Sequence, residues 1–332
     1  MQIPLDDVER LSNTALIQAG ATPLQAAPVA RSIRAAEAEG TRGIGLGYLP
    51  WYCRHLRVGK IVGDAIPTLS QPRPAAILVD AADGFSHPAY EAGEDALISA
   101  AKEQGVAILG IQGAYACGVL GYFTNRLARA GLVAMAFTNA SSTMAPWGGK
   151  TPFFGTNPWA FGAPRDDDPL VIDSSSSATA FVNLANAAAS GTAIPPHWAL
   201  DAEGRPTTDP TLALQGSIAP AGGHKGGALA LMVEVLAAGL TGANWSFQAS
   251  SLGDDLGGPP RLGQTFIAID PAALTPGFAD RLGVMLTAMT DQPGVRLPGD
   301  RRHENRKTHM ENGVTLALTE VKTLATLTGQ PV

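Results

Sequence analysis

The stretch "VAILGIQGAYACGVLGYFTNRLARAGLVAMAFTN", Val106 to Asn139, sets the choice of fold. It reads as a strand, a turn with Gly113, Gly118 and Gly121, a helix with Leu120, Phe123 and Leu127 on one face, and a second strand. That is the order of a nucleotide-binding βαβ unit. The dinucleotide fingerprint also needs a fixed glycine spacing and an acidic ribose ligand near the end of the second strand. Here the spacing differs and the second strand ends in Asn139. The stretch predicts an α/β or α+β texture without an orthodox Rossmann site.

On either side the same texture continues. The runs "AAILVD", "LVAMAFTN", "LVID" and "TFIAID" have strand length, and several are continuously apolar, as buried strands are. Upstream, residues up to about 62 read as three helices. In "AAPVARSIRAAEAEG" Val29, Ile33 and Ala36 recur at helical spacing before Gly40, and in "LPWYCRHLRVGKI" Leu49, Tyr52 and Leu56 do so after Pro50. Residues 63 to 75, "GDAIPTLSQPRPA", read as a Pro-rich connection, which places a domain boundary at 73/74 and a sheet domain over 74–284.

The 332 residues are 45% hydrophobic and 16% charged, enough for a sizeable core. A net charge of -6, with no basic run longer than "RRHENRK", argues against nucleic acid as a partner. Cys53 and Cys117 stand apart, the N-terminus lacks a secretory pattern, and no apolar run reaches the roughly 20 residues of a membrane span. A cytoplasmic, reduced protein without membrane contact is expected. The six histidines form no HxH, HxxxH or HExxH pattern, so no metal site is expected.

Two segments suit an anionic cofactor. In "PAGGHKGGALALMVEVL" His224, Lys225 and Gly226 stand at the mouth of a long helix, where free N–H groups and the helix dipole favour an anion. In "VIDSSSSATA" Ile172 and Asp173 close a buried strand, and Ser174, Ser175, Ser176 and Ser177 offer hydroxyls and amides to a ribose or pyrophosphate, or cap a helix. A third stretch, "GTRGIGLGYLPWY" from Gly40 to Tyr52, has three spaced glycines but connects two helices. It reads as a close-approach loop rather than a phosphate cradle.

The segments "GLVAMAFTNASSTMAPWGGKTPFFGTNPWAFGAP", "PLVIDSSSS", "GTAIPPHWALDAEGRPTTDP", "GSIAPAGGHKGGALALMVEVLAAGLTGA" and "GGPPRLGQTFIAIDP" resemble the malate/L-lactate dehydrogenase type-2 family, also called sulfolactate dehydrogenase-like. The resemblance spans residues 3 to 325. "DGFSHPA", "YACGVLGY" and "RLPGDRR" are most similar to its Δ1-pyrroline-2-carboxylate and Δ1-piperideine-2-carboxylate (ketimine) reductase branch. It implies NADPH or NADH on a non-Rossmann sheet domain, a helical domain built from 1–73 and about 285–332, and a homodimer with active sites near the interface. It carries cofactor contacts onto Ile172 to Ala178, His224, Lys225 and the region of Arg301 to Arg306, and a place beside substrate and nicotinamide onto Thr156.

The same resemblance gives the loop at Gly40 its meaning. The family writes a Ser-His-Gly and a following Arg there; this chain has Gly43 for the serine, Ile44 for the histidine and Tyr48 for the arginine. A second histidine of many hydroxy-acid-oxidising members is Ala116, beside Cys117. The implied roles of the missing groups are proton donor and carboxylate clamp. Reduction of a 2-oxo acid needs a positioned acid, commonly worth about 10²–10⁴-fold, whereas a cyclic iminium needs hydride alone. The expectation is therefore a reductase of a C=N bond in a small cyclic imine, with Arg42 or another cation as substitute clamp, or with a substrate that lacks a free 2-carboxylate. The alternatives are a 2-oxo-acid reductase with a relocated donor, His87 first, and a cofactor-binding pseudoenzyme.

Overall fold

The computed structural model describes residues 1–332. The chain opens with β1 (Gln2–Ile3), α1 (Leu5–Gln18), α2 (Pro23–Ala38) and α3 (Leu49–Arg57). Val8, Leu11 and Ala15 on α1, Val29 and Ile33 on α2 and Leu49, Tyr52 and Leu56 on α3 point into one apolar cluster. The expected helical periodicity is the face these helices bury. Each end has a local cause: Pro23 and Pro50 stand in first turns, and Gly40 takes a positive φ of 77° after α2.

β2 (Thr68–Arg73) and β3 (Ala76–Asp80) follow, then α4 (Ser86–Gln104), β4 (Val106–Ala114), α5 (Gly121–Arg129), β5 (Val133–Thr138), β6 (Trp159–Ala163) and β7 (Leu170–Ser174). Next come α6 (Phe181–Ser190), β8 (Ala199–Leu200), α7 (Pro210–Gln215), β9 (Ser217–Ile218) and α8 (His224–Glu234), which runs on into a π turn over Val235–Gly239. β10 (Leu262–Ile269), α9 (Phe278–Thr290), α10 (Asp300–Asn312), β11 (Val314–Thr315) and α11 (Leu318–Thr328) complete the mixed α/β fold. Val314, Leu316 and Leu324 join the cluster of the first three helices, so both chain ends share one core, whereas Leu286 of α9 packs with Ala163 and Leu170 of the sheet.

Seven strands form the main sheet in the order β2-β3-β4-β10-β5-β6-β7. Only β3 and β4 run parallel. The two strands of the opening stretch, β4 and β5, are not neighbours: β10 lies between them, antiparallel to both. This separates them from a Rossmann crossover. Asn139 is held internally, its amide donating to Asn244 O at 2.9 Å and its oxygen accepting from Gly263 N at 3.0 Å.

The supposed connection over residues 63–75 needs correction, because Thr68–Arg73 is the edge strand β2, antiparallel to β3. Pro72 hid it, since proline suits an edge where its missing N–H faces no partner. A cut at 73/74 therefore falls inside a hairpin. No helix is long and apolar enough to cross a membrane.

Candidate active site

The serine segment and the mouth of α8, far apart in sequence, lie side by side. Ala221 N donates to Ser176 O at 2.9 Å and Ala178 N to Ala219 O at 2.7 Å. A Cβ on Gly226 would stand 2.3 Å from Ala221 O and 2.8 Å from Ser176 O, so only glycine lets the helix approach the serines. Gly223 precedes the helix at φ 68°. His224 and Lys225 are exposed at its first turn, and no carboxylate pairs with Lys225, although this chain forms ion pairs freely elsewhere. An unpaired cation, free N–H groups and an open glycine lip fit a phosphate-bearing cofactor.

The serines serve two purposes. Ser176 is buried and structural, its hydroxyl donating to Asn157 O at 2.7 Å and its amide to Thr156 O at 2.9 Å. Ser177 donates to Thr179 O at 2.8 Å. None caps α6, whose first turn follows Ala180 without a side-chain cap. Ser174 is exposed and Ser175 half-buried, on the side open to a ligand. Thr156 is thus brought beside the serines.

Asp173 is committed to the protein itself. Its carboxylate accepts from Gly121 N at 3.0 Å, at the first turn of α5, and lies 3.4 Å from Arg302. It ties β7, α5 and α10 together and brings the α10 mouth to the end of the serine strand. Arg306 approaches Asp168 at 3.8 Å, where Arg129 and Lys307 also converge and hold that carboxyl below its usual range despite burial. Arg301 is exposed at the start of α10.

The loop Gly40–Tyr52 makes a short 3-10 turn at Arg42–Ile44 between α2 and α3. Its glycines serve a close approach: a Cβ on Gly45 would stand 2.5 Å from Glu37 Oε1, the oxygen that accepts Leu46 N at 2.8 Å. Arg42, the expected substitute clamp, is tied into the fold by two carboxylates. Its Nε donates to Glu37 at 2.9 Å and one terminal nitrogen reaches both oxygens of Glu320 at 2.9 Å. Glu37 is wholly buried, and desolvation pushes its carboxyl up against the pull of Leu46 N and Arg42. Nε and one terminal nitrogen of the guanidinium are thus engaged by two carboxylates of the fold.

Ile44 is 39% exposed and so lies outside the core. Gly118 lies against it and two buried side chains: a Cβ there would meet Tyr52 Oη at 3.2 Å, Ile44 Cγ2 at 3.6 Å and His87 Nε2 at 4.0 Å. Gly118 has φ 68°, a second reason for glycine. His87 begins α4 and is 1% exposed, with neither ring nitrogen hydrogen-bonded. Burial holds it down to about 3, offset only in part by the Cys117 main chain. Cys117 is buried and its thiol pushed up to about 12 by desolvation, so it is no nucleophile. Tyr48 and Ala116 lie half-buried on the first core cluster beside this space.

Three groups at this site lie outside the sequence expectations. Tyr52 appeared only as a core position, Arg302 lies inside the named range but was not singled out, and Asn157, at φ 41°, donates to Ala230 O and Glu234. The "GTNP" context offered a signal for the last, since asparagine tolerates positive φ. A surface hollow of about 600 Å³ between Gln2–Asp6 and Met310–Gly313 contains none of the expected site residues.

Comparison with known proteins matches residues 3–325 to the malate/L-lactate dehydrogenase family. The (2R)-3-sulfolactate dehydrogenase (NADP(+)) of Chromohalobacter salexigens is 46% identical over 96% of this chain and 95% of its own. The Δ1-pyrroline-2-carboxylate reductase of Ancylobacter novellus is 41% identical over 95% and 94%. The crystal structure of Δ1-piperideine-2-carboxylate reductase from Pseudomonas syringae pv. tomato superposes with a TM-score of 0.94 at 35% identity, covering 98% of this chain and 99% of that one.

Proposed function

The chain belongs to the malate/L-lactate dehydrogenase family, a family of NAD(P)-dependent oxidoreductases, and from that premise we propose that it reduces the C=N bond of a small cyclic ketimine. One observation carries the reading: the pocket around Gly118 holds no group able to deliver a proton as a charged acid. Ile44 and Ala116 have no acidic hydrogen, and His87, at about 3, is neutral at working pH. A neutral imidazole is a hydrogen-bonding group but a poor general acid. An iminium that enters already protonated makes no such demand.

The reduced nicotinamide, when bound, supplies the hydride. Lys225, the α8 amides and the exposed serines would hold its phosphates and ribose, and Arg301 stands free for a further anionic group. The absence of a side chain at Gly118 lets the main chain lie close to Ile44, Tyr52 and His87. The relatives named for pyrroline- and piperideine-carboxylate reduction support this substrate class. The exposed apolar residues Leu231, Met232 and Val235 on and after α8, and the exposed stacked pair Phe153 and Phe247, support a homodimer. The division into a sheet domain and a helical domain from both chain ends is proposed with it, its upstream cut before Thr68, and a reducing cytoplasm suits two free buried cysteines.

A second reading, reduction of a 2-oxo acid or oxidation of a 2-hydroxy acid, is favoured by the sulfolactate dehydrogenase relative. It then needs a donor other than His87 as imidazolium. The test is NADH and NADPH consumption across cyclic imines, with and without a 2-carboxylate, beside pyruvate and oxaloacetate. Consumption with imines supports the proposal, and consumption with oxo acids alone replaces it by the second reading. Cofactor binding without consumption in any arm means a pseudoenzyme.

A further inference from the structure

Glu234, the last residue of α8, is 3% exposed and no step of the chemistry above uses it. Its hydrogen-bond partners are all neutral donors. Oε1 accepts from Ser246 N at 2.6 Å, and Oε2 accepts from Ser246 Oγ at 2.6 Å and from the Asn157 amide at 2.7 Å. The same amide nitrogen donates its second hydrogen to Ala230 O at 2.9 Å, one turn earlier on α8. Asn157 and Ser246 are themselves wholly buried. A carboxylate kept out of water by neutral donors alone is costly, and the cost points to a task. α8 widens into its π turn directly after Glu234, a distortion common at functional sites.

The bonds to Ala230 and Glu234 fix Asn157 at φ 41°, a conformation that asparagine tolerates better than most residues. In that position its main-chain carbonyl accepts the Ser176 hydroxyl at 2.7 Å, and the carbonyl of Thr156 accepts the Ser176 amide at 2.9 Å. Ser176 O in turn accepts Ala221 N at 2.9 Å, two residues before Gly223 and the mouth of α8. The bonds close a ring, from the end of α8 through Glu234, Asn157, Ser176 and Ala221 back to its beginning. Ser174, two residues before Ser176, and Lys225, four after Ala221, are the exposed groups this ring carries.

We propose that Glu234 and Asn157 are positioning residues of the cofactor site: their buried contact sets the serine segment against the mouth of α8, so that one dinucleotide is held by both. The inference rests on the cofactor site described under the proposed function. Both residues act through Ser176 and α8 rather than on the ligand. Glutamate suits position 234 because an acceptor is needed at both oxygens; a glutamine would turn its NH₂ group against either the Ser246 N–H or the Asn157 amide.

The test is a double-mutant cycle read by fluorescence titration with NADPH. Lys225→Ala in the wild type should weaken NADPH binding roughly thirtyfold, the worth of one charge-assisted contact. Asn157→Gly permits the left-handed backbone and removes the amide. In that background the same lysine change should weaken binding only about fivefold or less, because a displaced serine segment no longer holds the ligand against the cation. Glu234→Gln should also shrink the lysine effect, and decides the matter if Asn157→Gly does not fold. Ser246→Ala removes a donor to Glu234 that lies outside the ring, so it should lower the unfolding midpoint and keep the lysine effect whole. A merely structural network would lower stability in all three variants and leave every cycle additive.

A lysine effect that stays at roughly thirtyfold in the Asn157→Gly or Glu234→Gln background would overturn the inference and leave the cofactor site standing. An equal loss of the effect in Ser246→Ala would overturn it too, because the ring would then have no special part. If Lys225→Ala binds NADPH as the wild type does, the cofactor site itself moves away from α8, and the inference falls with it.

Discussion

Arg42 and Lys225 are both cations at glycine-rich turns beside helices, and the structure treats them in opposite ways. Arg42 is held by Glu37 and Glu320 at 2.9 Å each, one of them wholly buried. Lys225 stands exposed at a helix mouth with no acidic partner. A paired cation belongs to the fold, and an unpaired one beside free amides is available to a ligand. The proposed substrate end has its cation paired within the fold, while the proposed cofactor end keeps its own exposed.

The largest effect should come from breaking the paired cation. Arg42→Ala leaves the buried Glu37 carboxylate with the Leu46 amide as its remaining partner, at a cost of about 2–3 kcal/mol, below that of a wholly buried pair because Arg42 is itself partly exposed. Urea unfolding at neutral pH measures it. An unchanged midpoint with lost substrate binding would make Arg42 a clamp after all and erase the contrast.

Lys225→Ala should do the reverse. It should leave the unfolding midpoint alone and weaken nicotinamide dinucleotide binding by about 2 kcal/mol, roughly thirtyfold, through one lost charge-assisted contact. Fluorescence titration reads this directly, and unchanged affinity would move the anion site elsewhere.

How far these roles were legible depends on the residue. The buried strands β3, β4, β5, β7 and β10 were visible as apolar runs, and the first three helices as periodic faces. β2 was not, because an edge strand with Pro72 and six exposed residues carries no apolar signal. The serine and α8 segments could be picked out locally, since a helix mouth advertises its own free amides. Their adjacency could not, because it depends on Ala221 meeting Ser176 and Ala178 meeting Ala219 across the fold. The pairing of Arg42 was hidden for the same reason: Glu320 is 278 positions away. The setting of Gly118 emerged only once Ile44, Tyr52 and His87 had converged on it.

A smaller effect concerns the pocket histidine. Its folded value of about 3 lies below the usual 6.5 or so of an unfolded histidine. The unfolded chain therefore binds the proton first as pH falls. The stability of neutral, buried His87 is intact above the unfolded value and is progressively lost below it, down toward the folded one. Between pH 7 and pH 5.5 this predicts a loss of about 1 kcal/mol from this residue. His87→Gln should lack that share of the acid sensitivity in paired urea titrations at the two pH values. An identical slope in both proteins would mean that His87 is not held neutral, and would return it as a candidate proton donor.

The central claim is that the pocket serves a substrate which brings its own proton. The most direct measurement is the ratio of kcat/KM for a cyclic ketimine carboxylate to that for the 2-oxo acid of matching size, with the wild-type protein and saturating reduced cofactor. The account predicts a ratio of at least about ten in favour of the imine, the lower part of what a positioned acid contributes to ketone reduction. A ratio near or below one would contradict it, because some group in the pocket would then already be supplying the proton that Ile44 and Ala116 cannot.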